Sequence, residues 1–283
     1  KAAIQIACIG DIIFFTSTGW VKDVTQLLII RFFAGLFTPL VPSISWVIDS
    51  GRGNPGATAS YMGTWAMIMS FSFMLGAIVG GLLGSENWYI AHSISGGAAL
   101  CALVVVSNST SPPRQDENVK PRGVDAVLQA KEYWGLLAMN VVVGAAFTGG
   151  IIAASIILVI QLGATSIEMA LFFVGTSIEH AIISFVLLPY SVKKYGSTFP
   201  AMRISLYLTV VTYIIMCFDF TYSTFVGTCV VLTLSTSFIP IFMTAANIIS
   251  GQYADKYSEN AKGVILGFSR LAFNVGQVLG PII

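Results

Sequence analysis

Arg31, Glu179, His180, Arg270 and Asn274 stand inside long apolar runs of this 283-residue chain. A charge at membrane depth costs at least about 2.5–3.5 kcal/mol on insertion scales, so each such group needs a partner or a wet cavity. Glu179 and His180 fall near the middle of the run 166–190, about 20 Å along a helix rising ~1.5 Å per residue. A carboxylate beside an imidazole at the midplane can relay protons. Adjacent helical positions point roughly 100° apart, so at most one of the two need face a cavity while the other is satisfied between helices. Arg31 lies about two turns from the end of its run. It can bind an anionic group, bias a coupling carboxylate, or snorkel to the interface. Arg270 is about 12 Å into the last run, with Asn274 and Gln277 at helical spacing on a neighbouring face. That set can line a solute path or form an interhelical hydrogen-bond cluster.

Catalytic motifs of soluble enzymes are not evident: there is no phosphate loop, paired-cysteine motif or HExxH. Cys8, Cys101, Cys217 and Cys229 sit inside apolar segments without metal-ligand spacing and read as small packing residues. No catalytic residue, metal or cofactor is assigned, and the chain is read as a protein other than an enzyme. The formal net charge of +1 supplies no bulk field to attract nucleic acid.

The elements that position these groups follow from composition. Hydrophobic residues make up 55% of the chain and charged residues 10%, against about 25% charged in a soluble domain. The mean hydropathy is +0.83. Apolar runs of about 20 residues match the hydrocarbon thickness of a bilayer and exceed the strands of a barrel. The pattern predicts an all-α, polytopic membrane protein with about nine transmembrane helices, at 2–20, 25–48, 58–83, 88–107, 133–160, 166–190, 199–217, 223–248 and 262–283. These are helices a to i.

Connections are short except 108–131, which holds three prolines and most of the loop charge. It divides an N-terminal half, 1–107, from a C-terminal half, 132–283, and its stretch Val124 to Lys131 can form a short interfacial helix or a plain solvated linker. One side of the membrane collects Lys1, Arg52, Arg114, Lys120, Arg122, Lys131, Lys193, Lys194, Arg203, Lys256 and Lys262, and the other only Lys22. By the positive-inside rule the linker is cytosolic. The sequon Asn108-Ser109-Thr110 is then cytosolic and unused.

The chain also repeats itself. Gly63, Phe73, Gly76 and Gly80 recur 200 positions later as Gly263, Phe273, Gly276 and Gly280, and Ser50 and Gly51 recur as Ser250 and Gly251. Helices c and i, and helices b and h, are therefore candidate equivalents in a parallel repeat, an arrangement that places a solute path between two halves. The glycine-rich stretch from Gly76 reads as close helix packing through small residues. Gly149-Gly150 can loosen helix e near its centre.

These features together resemble the major facilitator superfamily. LLIIRFFAGL resembles its fourth-helix pattern, with Arg31 followed by Gly35. Gly76-Ala77-Ile78-Val79-Gly80-Gly81 resembles the fifth-helix pattern G-P-x-x-G-G without its proline, while Gly280-Pro281 stands at the equivalent place in helix i. LLPYSVKKYG, 187–196, resembles a degenerate copy of the loop motif G-x-L-x-D-R-x-G-R, and Asp49 stands where the family often has an acidic residue. The resemblance implies that helices a to d correspond to the third to sixth and e to i to the seventh to eleventh, with the first two and the last missing. Its motifs are most similar to those of drug:proton antiporters and vesicular amine transporters. The implied function is alternating-access transport of a small solute within the lipid bilayer, coupled to protons. Glu179 would be the coupling carboxylate, and Arg31 and Arg270 solute or counter-charge contacts. The alternatives are a transporter-derived receptor or scaffold that no longer transports, and a membrane-embedded enzyme.

Overall fold

The computed structural model describes residues 1–51, 54–83, 87–110, 131–218, 225–257 and 262–282. The element order is α1 (Ala2–Thr18), α2 (Val24–Leu36), α3 (Leu40–Ser50), α4 (Pro55–Leu83), α5 (Trp88–Asn108), α6 (Lys131–Ile156) with a π turn at Ile157–Gln161, α7 (Ser166–Tyr195), α8 (Phe199–Met216), α9 (Phe225–Ser237), α10 (Ile239–Tyr257) and α11 (Lys262–Leu279), which ends in a 3-10 turn at Gly280–Ile282. Taking α2 with α3 and α9 with α10 as single spans, eight are long and apolar enough to cross a membrane, and α1 is slightly shorter. About nine crossings thus agree with the apolar runs. Most of the linker, residues 111–130, lies outside the described residues; Lys131 opens α6.

Local chemistry fixes the ends of α7. Thr165 and Glu168 form a reciprocal capping box, with the Thr165 amide donating to Glu168 Oε2 at 2.7 Å. Gly196 closes the helix in the left-handed conformation at φ 69°, where a Cβ is disfavoured. The helix therefore runs five residues beyond the expected end, through Lys193 and Lys194.

Helices b and h differ from expectation, because both are interrupted. The first lapses at Phe37–Pro39, between α2 and α3, and the second at Phe238, between α9 and α10. Thr38 and Phe238 are 200 positions apart, the offset of the sequence repeat. A proline inside a helix removes one backbone donor and crowds the preceding turn. Pro39 and Pro240 supply that disruption at the two breaks. Pro42 falls in the first turn of α3, where a missing amide costs nothing.

The helices are taken as two groups, α1 to α5 before residues 111–130 and α6 to α11 after them. In the first, α1 lies along α5, with the Trp88 indole donating to the Thr18 carbonyl at 3.1 Å and the Lys1 ammonium to the Ser107 carbonyl at 2.7 Å. In the second, α6 and α11 meet at a glycine seam. A Cβ on Gly144 would strike the Phe273 carbonyl, one on Gly276 the Val141 carbonyl and one on Gly280 the Ala145 carbonyl. A core including Tyr133, Phe242 and Ile265 fills this group. The fully buried Tyr133 hydroxyl donates to the Ile265 carbonyl at 2.6 Å.

Close packing at Gly76 and Gly80 is not observed: nothing lies within 4 Å of a Cβ placed at either. Their counterparts Gly276 and Gly280 are pressed against α6. Gly81 does pack, with the Ser166 carbonyl of α7 at 3.3 Å from its Cβ position. Gly150 serves a wedge, receiving the Tyr213 hydroxyl, which donates to the Ala146 carbonyl at 2.5 Å. Of the cysteines, Cys8 is buried and Cys229 half-buried, whereas Cys101 and Cys217 are exposed, and all are free.

The groups meet along α4 and α7, where Phe73 and Phe173 stack edge-on at 5.9 Å. They meet again at the end that carries Lys131, Lys194 and Lys262, called here the basic end. There Ile44, Ile48 and Met62 pack with Ile248 and Leu266.

Candidate functional site

A cavity of about 210 Å³ lies between the two groups. Its walls come from both sides. Leu40 and Ile44 stand just beyond the first helix break, and Trp65, Met69 and Phe73 come from α4. Phe147 comes from α6 and Phe172 from α7. Pro240, Met243 and Asn247 stand at and beyond the second break. The lining is mostly apolar and aromatic, with few polar groups, the usual character of a small-molecule site.

Three of those polar groups carry distinct chemistry. The Arg270 guanidinium reaches the wall from α11 and stacks over the Phe273 ring at 5.1 Å. It has no carboxylate partner among the described residues. A cation held without a counter-charge in an apolar cavity is a place for an anionic group. His180 lines the cavity from α7, and its Nε2 lies 3.1 Å from the Thr236 carbonyl at the end of α9. Asn247 offers both a donor and an acceptor.

The structure thus brings together His180 and Arg270, but not the other expected residues. Glu179 is half-buried beside the cavity rather than on its wall, and its Oε2 is buried without a hydrogen-bond partner among the described residues. Of the adjacent pair, His180 is the one that faces the cavity. Arg31 is exposed on α2, away from the lining, and Asn274 is exposed on α11. Arg270 is thus the residue of α11 that reaches the lining, and Asn274, one turn on, lies outside it. Gly35 borders open space, and Pro281 lies in the 3-10 turn after α11.

Reasoning on charged residues alone passed over Trp65, Thr176, Ser177 and Asn247. The signal that leads to them is the pair of prolines, Pro39 and Pro240, at matching places in two apolar runs. Proline-interrupted helices at corresponding positions of two repeats point to a binding site. No described group of His, Cys, Asp and Glu could hold a metal ion.

At the basic end, the buried Lys262 ammonium lies 2.7 Å from Asp49 Oδ1 and 3.1 Å from Asp255 Oδ1. Asp49 closes α3 of the first group, whereas Lys262 and Asp255 belong to the second. This ion cluster and the adjacent apolar cluster join the two groups at the basic end.

The sequence model of the Major Facilitator Superfamily matches residues 2–281. No curated protein matches in sequence. Among solved structures, the chain is similar to the human organic anion transporter MFSD10 (TETRAN), with a TM-score of 0.73 and 14% identity, covering 99% of this chain and 69% of that one. It is also similar to a bacterial homolog of the human lysosomal transporter Spinster in an inward-facing and occupied conformation, with a TM-score of 0.60 and 16% identity, covering 99% of this chain and 65% of that one. At such identities the likeness is one of fold.

Proposed function

Because the chain belongs to the Major Facilitator Superfamily, we propose that this multi-pass membrane protein carries a small amphipathic anion across the bilayer by alternating access, coupled to protons. The observation that carries this reading is Arg270, without a carboxylate partner among the described residues, in an apolar cavity between two helix groups, each contributing an interrupted helix. An apolar body would rest against Trp65, Met69 and Phe172, and its anionic group against Arg270. The name of one structural neighbour, an organic anion transporter, is consistent with that charge preference.

Glu179 is the coupling carboxylate in this reading. Its side chain stands beside the cavity, one residue before His180 on the wall, and its Oε2 has no hydrogen-bond partner among the described residues; a carboxyl so placed can take up and release a proton. Arg31, on the half-helix before the first break, is a second counter-charge for an approaching anion. The two halves, 1–107 and 132–283, would rock about the cavity. The basic end faces the cytosol by the charge rule, and the Lys262 cluster holds that side shut.

Flux decides the matter. The chain is reconstituted in liposomes, and uptake of labelled cinnamate, an aromatic carboxylate, is followed under an imposed pH gradient. Saturable, gradient-driven uptake that falls in Arg270→Gln supports the proposal. Saturable binding without uptake would instead support a receptor or scaffold derived from a transporter.

A further inference from the structure

Pro240 is the second residue of α10, just after the second helix break, and it has no amide hydrogen. In a continuous helix the amide at position 240 would donate to the carbonyl of Thr236, four residues earlier. That carbonyl is therefore left without its helical donor, inside a membrane, where an unmet backbone group is costly. His180 of α7 fills the place, with Nε2 at 3.1 Å from the Thr236 oxygen. A carbonyl can only accept, so the ring proton sits on Nε2. In the neutral ring Nδ1 is then an acceptor, and it has no hydrogen-bond partner among the described residues. The ring itself stands on the cavity wall.

We propose that His180 is a positioning and specificity residue of this cavity: its Nε2–H pins the carbonyl that Pro240 leaves free, and its Nδ1 reads a hydroxyl or N–H donor on the solute. The proposal rests on the cavity being the solute site, and it adds a second point of recognition. The preferred solute carries an anionic group for Arg270 and, on the same apolar body, a hydrogen-bond donor for His180. A donor placed on Nδ1 also polarises the ring and strengthens its Nε2–H bond to Thr236. Solute recognition is in this way tied to the break in helix h, the element that meets the first group at the basic end.

The pin is tested without any solute. The chain has two histidines, so ring-nitrogen NMR of histidine-labelled protein in nanodiscs gives two sets of signals, assigned with His180→Gln. The expected result for His180 is the Nε2–H tautomer; an Nδ1–H tautomer overturns the proposal. The reading of donors is tested by calorimetric binding of cinnamate and its three monohydroxy isomers. The best isomer should bind wild-type protein roughly three- to tenfold more tightly than cinnamate, the range of one net hydrogen bond. His180→Phe should abolish that preference, and His180→Gln, which keeps a donor and an acceptor, should retain part of it. A preference that survives His180→Phe undiminished overturns the proposal. If none of these probes binds while the tautomer is as expected, the anionic-solute reading fails and the donor preference with it, and the pin stands on the tautomer.

Discussion

The Lys262 ammonium lies 2.7 Å from the Asp49 carboxylate, across the boundary between the two helix groups and 213 residues away in sequence. Lys262 is almost fully buried, whereas Asp49 and Asp255 are each about one-third exposed. Such a contact exists only while the groups are together at the basic end, so in the proposed alternating cycle it favours the arrangement closed on that side. Asp49→Asn should weaken the closed arrangement by about 1 kcal/mol, below the ~1.5–3 kcal/mol of a charged hydrogen bond because Asp49 is partly hydrated. That amounts to roughly fivefold faster labelling of an Asn247→Cys probe by an impermeant thiol reagent added at the basic end. Unchanged labelling would show that the ion cluster does not hold the seal.

Glycines related by the repeat should respond differently to the same substitution. Gly276→Ala drives its Cβ into the Val141 carbonyl, backbone that cannot yield, while Gly76→Ala meets open space. Overpacking of this kind costs about 1–3 kcal/mol, whereas alanine in an unobstructed helix gains about 0.5–1 kcal/mol over glycine. Thermal denaturation in detergent should place Gly276→Ala below the wild type and Gly76→Ala at or above it. Equal loss at both positions would contradict the observed packing.

Arg270 is the charge that selects anions in the proposed site. Arg270→Gln should weaken cinnamate binding by about tenfold or more, the value of a hydrogen bond to a charged group. Arg270→Lys should recover only part of it, because lysine keeps the charge but not the planar fork stacked on Phe273. Calorimetry on the three proteins gives the order, and equal affinity for all three would remove Arg270 from the site.

Glu179→Gln separates coupling from binding. Glutamine has similar shape but cannot take up a proton, and Glu179 is off the cavity wall. Solute exchange should persist while accumulation driven by a pH gradient is lost. Gradient-driven accumulation at the wild-type level in this variant would exclude Glu179 as the proton carrier.

Much of the architecture was legible because lipid imposes simple rules. The runs from Ala2 to Thr18 and from Ser166 onward could only be helices, since no other open structure satisfies its backbone in hydrocarbon. The end of α7 was less legible: the expected helix stops at 190, yet the chain continues to Tyr195 because Gly196 is the residue that can turn left-handed. The breaks in helices b and h carried a signal in Pro39 and Pro240, although apolar periodicity ran through both without a gap.

The candidate site was legible by type but not by direction. His180 and Arg270 face the cavity, while Asn274, Glu179 and Arg31 do not line it. Sequence spacing fixes how far apart two side chains point on one helix. It does not fix which face of that helix meets its neighbours.

The sequence by itself determined the membrane-spanning helices, the 200-residue repeat and the charge asymmetry between the two ends, because each follows from local transfer energies and composition. Only the tertiary structure decided that Lys262 reaches Asp49, that Gly276 is crowded where Gly76 is free, and that His180 answers the carbonyl left by Pro240. These are contacts between segments remote in sequence, set by how the helices rotate and cross, and that rotation is chosen by the packing of the whole bundle rather than by any one helix.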